Sequence, residues 1–215
     1  MINFKNAPAF RAKLKPDFIN VPPILFIKVD GSGSPANKDF QEALKTVYGI
    51  FYTIKLWGKK HDLPEGYEDF TTAPLEAIWW TGVGQEFEPD RPQDWRWTAL
   101  MRLPDFVTRE FFDEAVNELV EKKKTEIYKK ARLENMHEGC CAQILHIGPY
   151  DQQMKSLEKL YKFVADNGYE IYGRHHEIYM NDPNRNPPEK LKTVLRYPVR
   201  KRHGELEIIS NSVVG

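Results

Sequence analysis

Short apolar runs alternate along this chain with longer stretches in which apolar residues return every third or fourth position. The run ILFIKVDG (24–31) has the length and β-branched content of a buried strand, and the cluster Gly31-Ser32-Gly33-Ser34-Pro35 stops it. Phe40, Ala43, Leu44, Val47, Tyr48, Phe51 and Tyr52 then keep one face at helical spacing, which predicts a helix from about Asp39 to Trp57 with Asn37 as its N-cap. LEAIWWTGV (75–83) and DWRWTALMRL (94–103) read as strands, and GQEFEPDRPQ between them has the composition of a hairpin loop. Thr108 is a natural N-cap for a long helix from about 108 to 133, with Phe111, Phe112, Ala115 and Leu119 on its apolar face and Glu121-Lys122-Lys123-Lys124 on its solvated one.

After Glu138-Gly139 the pattern starts again. CCAQILHIG (140–148) is a buried strand, and a helix from about Asp151 to Asn167 buries Met154, Leu157, Leu160, Tyr161 and Val164. YEIYGRHHEIYMNDP (169–183) reads as a strand or bent strand pair, and LKTVLRYPV (191–199) closes the set. Strand-helix-strand-strand therefore occurs twice, over 24–103 and 140–199, which predicts one α+β domain over residues 1–215 built from duplicated modules. Each module pairs a small antiparallel sheet with a covering helix, and the cleft between the halves is the expected place for a site. The leader (1–23) and the tail HGELEIISNSVVG each have the makings of an edge strand.

Composition removes several function classes. With 31 Lys+Arg against 31 Asp+Glu the chain has no basic surplus for nucleic acid or an anionic membrane. No apolar run approaches the ~20 residues of a spanning helix, and the charged, proline-broken N-terminus lacks a signal-peptide core, so a soluble cytoplasmic protein is expected. An aromatic content of 13% is far above that of a disordered chain. Cys140 and Cys141 are adjacent, which suits neither a disulfide nor a metal site, and both read as small buried residues. No nucleophile elbow, phosphate-binding loop, zinc-protease or dinucleotide motif is present, and Gly31-Ser32-Gly33 reads as a turn.

The chemistry concentrates on strands. Alternate residues of a strand share a face, so His175, Glu177 and Tyr179 lie on one side and His176, Ile178 and Met180 on the other. A carboxylate in such a strand is either solvated at an exposed edge or set in the floor of an aromatic pocket, where it can bind a cation or act as a base. Overlaying the halves sets Trp79 against Tyr179 and Ala77 against Glu177, so the carboxylate belongs to the second half alone. Trp79, Trp80 and Trp97 are either core or a wall for flat ligands. His175 and His176 point to opposite faces, which argues against a metal set with His146, and no cofactor is expected.

Together with the strand-helix-strand-strand duplication, IGPY at the start of the second helix, LEAIWW, DWRWTALMRLPDFVT and GRHHEIYMNDP resemble the GyrI-like (gyrase-inhibitor-like) small-molecule-binding family over roughly residues 14 to 199. More specifically, these stretches resemble its stand-alone bacterial branch. The resemblance implies a pseudo-two-fold pair of modules with a ligand cleft between them. It also implies a pocket glutamate, matched here by Glu177, that receives cationic lipophilic drugs in multidrug-sensing regulators. Some stand-alone members hydrolyse the cyclopropane ring of DNA-alkylating cyclopropanoids of the yatakemycin and duocarmycin type. No helix-turn-helix segment precedes the domain, so direct DNA binding is not expected. On this reading Glu177 is the base, Tyr179 orients it or the water, and Trp79, Trp97 and Trp80 stack on the ligand. Tyr150, His146, Tyr197 and His175 are further pocket residues. Two rivals keep the same fold without turnover: a ligand-sequestering or sensing module, and a protein-binding inhibitor of the gyrase-inhibitor kind.

Overall fold

The first module is built around a strand that the pattern of apolar residues marks well. In the computed structural model, which describes residues 1–4, 7–82, 87–88 and 91–202, β1 (Asp17–Val21) and β2 (Ile24–Ser32) precede α1 (Lys38–Lys55). They are followed by β3 (Leu75–Thr81), β4 (Trp95–Arg102) and α2 (Arg109–Lys123). The second module contains β5 (Arg132–Met136), β6 (Gly139–Ile147), α3 (Met154–Asp166), β7 (Tyr169–Ile171), β8 (His175–Tyr179) and β9 (Lys192–Lys201). Asn37 holds the N-cap position of α1 without a side-chain bond, whereas the Thr108 hydroxyl accepts from the Phe111 N–H at 3.2 Å.

The strands form one antiparallel sheet in the order β1-β6-β9-β8-β3-β4-β2-β5, curled into a half-barrel, with β7 paired to β9. That order is the same read from either end once the modules are exchanged, so a pseudo-two-fold axis passes between β3 and β8. It runs through the Ala77–Glu177 pair, because Leu75 lies opposite Tyr179 and Trp79 opposite His175. The outer strands obey the same symmetry. Asp17 faces Gln143 and Val21 faces Gly139, just as Arg132 faces Lys28 and Met136 faces Ile24. Each module therefore lends its leading strand to the other, and the repeat begins at β1 and β5 rather than at β2 and β6.

The expected helix to 133 ends earlier. Lys124 adopts a left-handed conformation (φ 53°), Thr125 caps a short 3-10 turn over Glu126–Lys130, and Arg132–Met136 leaves as a strand. The alternation in RLENM was hidden behind its charges, which an edge strand tolerates. The leader does supply an edge strand, β1. The tail from His203 and residues 84–86 and 89–90 of the hairpin loop lie outside the described residues.

Both α1 and α3 cover the same side of the sheet. Phe40, Val47, Ile50, Phe51 and Ile54 of α1 pack on Ile27, Val29, Ala99 and Met101. Leu157, Leu160 and Val164 of α3 pack on Ala142, Ile144 and Leu195. α2 adds a second layer on α1, with Phe111 edge-on to Trp57 at 5.0 Å. Cys141 is buried, which pushes its thiol pKa up, but Cys140 on the same strand is exposed, a correction to the expectation for both. No helix among the described residues is long and apolar enough to cross a membrane.

Candidate functional site

At the seam between the modules, β3 and β8 send Trp79, Ala77, His175, Glu177 and Tyr179 to the helix side of the sheet. Glu177 is buried there, only 7% exposed. Among the described residues no arginine or lysine reaches its carboxylate. Instead Oε1 accepts from His175 Nε2–H at 3.0 Å, and the Tyr179 hydroxyl donates to the same group. An ionised carboxylate accepts about four hydrogen bonds, so capacity remains for a water or a ligand donor.

The partners of Glu177 are held in turn. His175 is fully buried between the rings of Phe87, stacked at 5.2 Å and 21°, and Tyr197, tilted at 4.9 Å and 35°. Its Nδ1 has no partner among the described residues, which leaves the ring proton on Nε2 facing the carboxylate. The Tyr179 oxygen accepts from Trp79 Nε1–H at 3.2 Å. Burial, and after it the Glu177 charge, hold the Tyr179 hydroxyl well above the ordinary tyrosine pKa, so it remains a donor.

Toward solvent the site is walled by tyrosines. The Tyr150 ring stands edge-on to Tyr179 at 5.7 Å, and burial together with the charges of Glu177 and Asp182 pushes its pKa up to about 12. Tyr48 of α1 is raised by burial first and then by Tyr52 and Asp182. Glu177 and Trp79 are buried, while Tyr48 and Tyr150, one from each module, and exposed Asp182 lie close enough to act on one another.

The remaining candidates are placed differently. Trp97 is 1% exposed, edge-on to Phe40 at 4.9 Å, and belongs to the core under α1. A Cβ at Gly31 would overlap its indole, so β2 needs glycine there. Trp80 leaves the opposite face of the sheet, as a residue next to Trp79 on a strand must. His146 lies on the helix side, but it bridges Ser156 Oγ (3.0 Å, Nδ1) and the Pro149 carbonyl (3.1 Å, Nε2) and so supports the turn that carries Tyr150. Tyr197 forms a back wall behind His175, its hydroxyl 3.0 Å from that of Tyr161. Sequence patterning did not single out Phe87 or Asp182, and it placed Tyr48 only on a helix face. The positions of all three depend on packing between distant segments.

The opposite face of the same seam is ionic. Arg102 forks onto Glu76 at 2.6 and 3.3 Å, sandwiched by the rings of Phe10 and Phe26. His176 Nδ1 bonds Glu138 at 2.9 Å, while its Nε2 lies 3.0 Å from Glu76 Oε2, off the hydrogen-bond direction. Arg196 completes the chain, reaching Glu138 at 3.1 Å and Gln143 at 3.0 Å. Burial alone would raise the Glu138 pKa, but His176 and Arg196 outweigh it and hold the carboxyl at about 2. Among the described residues no group of three or more His, Cys, Asp or Glu is arranged to hold a metal ion.

Comparison with known proteins agrees with this fold. The sequence profile of the GyrI-like small molecule binding domain matches residues 14–200. An uncharacterized conserved protein from Listeria innocua is 36% identical with a TM-score of 0.87, covering 93% of this chain and 100% of its own. A Listeria innocua hydrolase is 34% identical with a TM-score of 0.84, over 93% and 100% of the two chains. The EcmrR C-terminal domain shares the fold at 14% identity and a TM-score of 0.57, over 87% of this chain and 98% of its own. No curated protein matches the chain.

Proposed function

Because the chain belongs to the GyrI-like small-molecule-binding family, we propose that it takes flat aromatic compounds into the cleft above β3 and β8 and hydrolyses electrophilic cyclopropanoids there. The observation that carries this reading is a buried carboxylate, Glu177, held by the donors of His175 and Tyr179 and met by no arginine or lysine among the described residues. A carboxylate so held has a fixed direction and lone pairs left to take a proton, which is what a general base needs. The hydrolase name of a relative 34% identical over nearly its whole length favours turnover.

The reaction is an addition of water. Oxygen attacks a cyclopropane carbon, the carbon–carbon bond breaks, and its electron pair passes into the dienone, which becomes a phenolate. Glu177 removes a proton from the attacking water, and the phenolate is protonated in turn, so the product is substrate plus one water. Tyr179 orients the carboxylate, Trp79 supports the floor, and the Tyr48 and Tyr150 rings flank the flat ligand. Tyr150, still protonated at neutral pH, is the hydroxyl at the cleft mouth available to the dienone oxygen.

Incubating a duocarmycin-type cyclopropanoid with the protein should yield many equivalents of a product heavier by one water. Product formed at the parent rate by Glu177→Gln would rule out the base assigned here. A second reading is favoured by the pair Glu177 and Asp182 beside tyrosine rings, which suits a lipophilic cation held without turnover. In that case a quaternary cation binds, Glu177→Gln weakens it, and the cyclopropanoid is recovered unchanged.

A further inference from the structure

Trp80 takes no part in the cleft, and its surroundings have their own chemistry. On the face opposite the helices, a pocket of about 500 Å³ is lined by Trp80, Arg96, Arg132, Arg174, Thr98 and Ser32, with Asp30 and Gly31 at its wall. The register explains the convergence: Arg96 of β4 lies directly between Trp80 of β3 and Ser32 of β2. Arg174, just before β8, lays its guanidinium over the Trp80 ring at 3.8 Å.

Among the described residues the charges in this pocket do not cancel. Arg132 is consumed by Asp30 (2.5 and 3.2 Å) and Glu134 (2.7 Å), Glu134 also takes Lys28 at 2.7 Å, and Thr98 donates to Asp30 at 2.6 Å. Lys28 and Arg132 thus balance Asp30 and Glu134. Arg96 and Arg174 meet no carboxylate among the described residues. Two guanidiniums are left facing one concavity, each presenting a planar fork of N–H donors that fits tetrahedral oxyanions. The Ser32 hydroxyl stands beside them on the neighbouring strand.

We propose that this pocket is a second ligand site, separate from the Glu177 cleft, which binds the phosphate dianion of a small phosphorylated compound between Arg96 and Arg174. The indole of Trp80 fixes Arg174 in place and offers a flat surface to any ring that the phosphate carries.

Isothermal titration of the full chain with inorganic phosphate and with AMP tests this site. Saturable one-to-one binding is expected, weakened about ten-fold or more by Arg96→Gln or Arg174→Gln and abolished by both, since each removes a charge-assisted hydrogen-bonding group. Both positions reach solvent, so the variants should keep the parent Tm, and Glu177→Gln should bind phosphate like the parent. Tighter binding of AMP than of phosphate assigns the indole to the base, and equal affinities assign the site to phosphate alone; either result upholds it. Uptake that does not saturate, or unchanged affinity in the double variant, overturns it. A duplex DNA that binds far more tightly than both probes and is lost in the double variant also overturns it, in favour of a backbone-phosphate surface.

Discussion

Two buried carboxylates sit one strand apart at the same seam, and their surroundings are opposite in kind. Glu76 is 0% exposed on the face away from the helices and is met by Arg102 and His176. Glu177 is 7% exposed on the helix side and is met by the His175 imidazole and the Tyr179 phenol, with no arginine or lysine beside it among the described residues. Cationic compensation by Arg102 and His176 leaves the Glu76 carboxylate with no uncompensated charge, so its network serves to fix the two modules together. Hydrogen bonds without an arginine or lysine leave Glu177 with a charge that a ligand or water can answer. The pseudo-symmetry makes the contrast sharper, because Ala77 occupies the equivalent position in the first module. One half of the duplicated fold supplies the carboxylate, and the other supplies the small residue beside it.

The comparison is tested most strongly by exchanging the two roles. Glu177→Gln should lower cyclopropanoid turnover by about 10²–10⁴-fold while the urea unfolding midpoint stays near the parent value. Breaking the network instead, with Arg196→Met, leaves Glu138 buried beside a single cation and should cost about 3–5 kcal/mol in urea unfolding, with whatever folds retaining ligand affinity. If Arg196→Met were silent in stability while Glu177→Gln unfolded the protein, the two faces would have been assigned the wrong way round.

Trp97→Ala separates core from cleft on the helix side. Removing this indole should cost about 3–5 kcal/mol of stability and leave the affinity for a flat ligand unchanged. Trp79→Phe keeps an aromatic ring but removes the N–H given to Tyr179 and part of a buried indole, and should cost about 1–2 kcal/mol in urea unfolding together with a fall in turnover.

The pH dependence of stability belongs to the ionic face and has two limbs. Glu138 at about 2 and Glu76 below its ordinary value are both depressed in the folded state, so their contribution is full above about 4.5 and is lost as pH falls toward 2. His176 is raised: burial alone would lower it, but Glu138 first and then Glu76 prevail. Its contribution is therefore full below 6.5 and is lost as pH rises through its folded value. Urea midpoints measured against pH should fall on both sides, and Glu138→Gln should flatten the alkaline limb. An unchanged alkaline limb in that variant would remove His176 from the linkage.

Much of this was legible in the chain itself, because local periodicity is a one-dimensional property. The 3.6-residue spacing in 40–52 and 154–164 marked α1 and α3, and strand alternation put His175, Glu177 and Tyr179 on one face before any fold was known. The same alternation separated Trp79 from Trp80. The duplication was visible too, but its true boundary was not: β1 and β5 each pair with the other module, and a swapped strand leaves no mark on the segment that supplies it. Which face is dry and which ionic also stayed hidden. Glu138 reads as part of a turn and Arg196 as one charge in an apolar strand, yet they meet across 58 residues of chain. Whether a buried carboxylate is neutralised depends on what distant strands place within about 3 Å of it. Sequence therefore determined which side chains share a surface, and only the tertiary structure decided which charges answer one another.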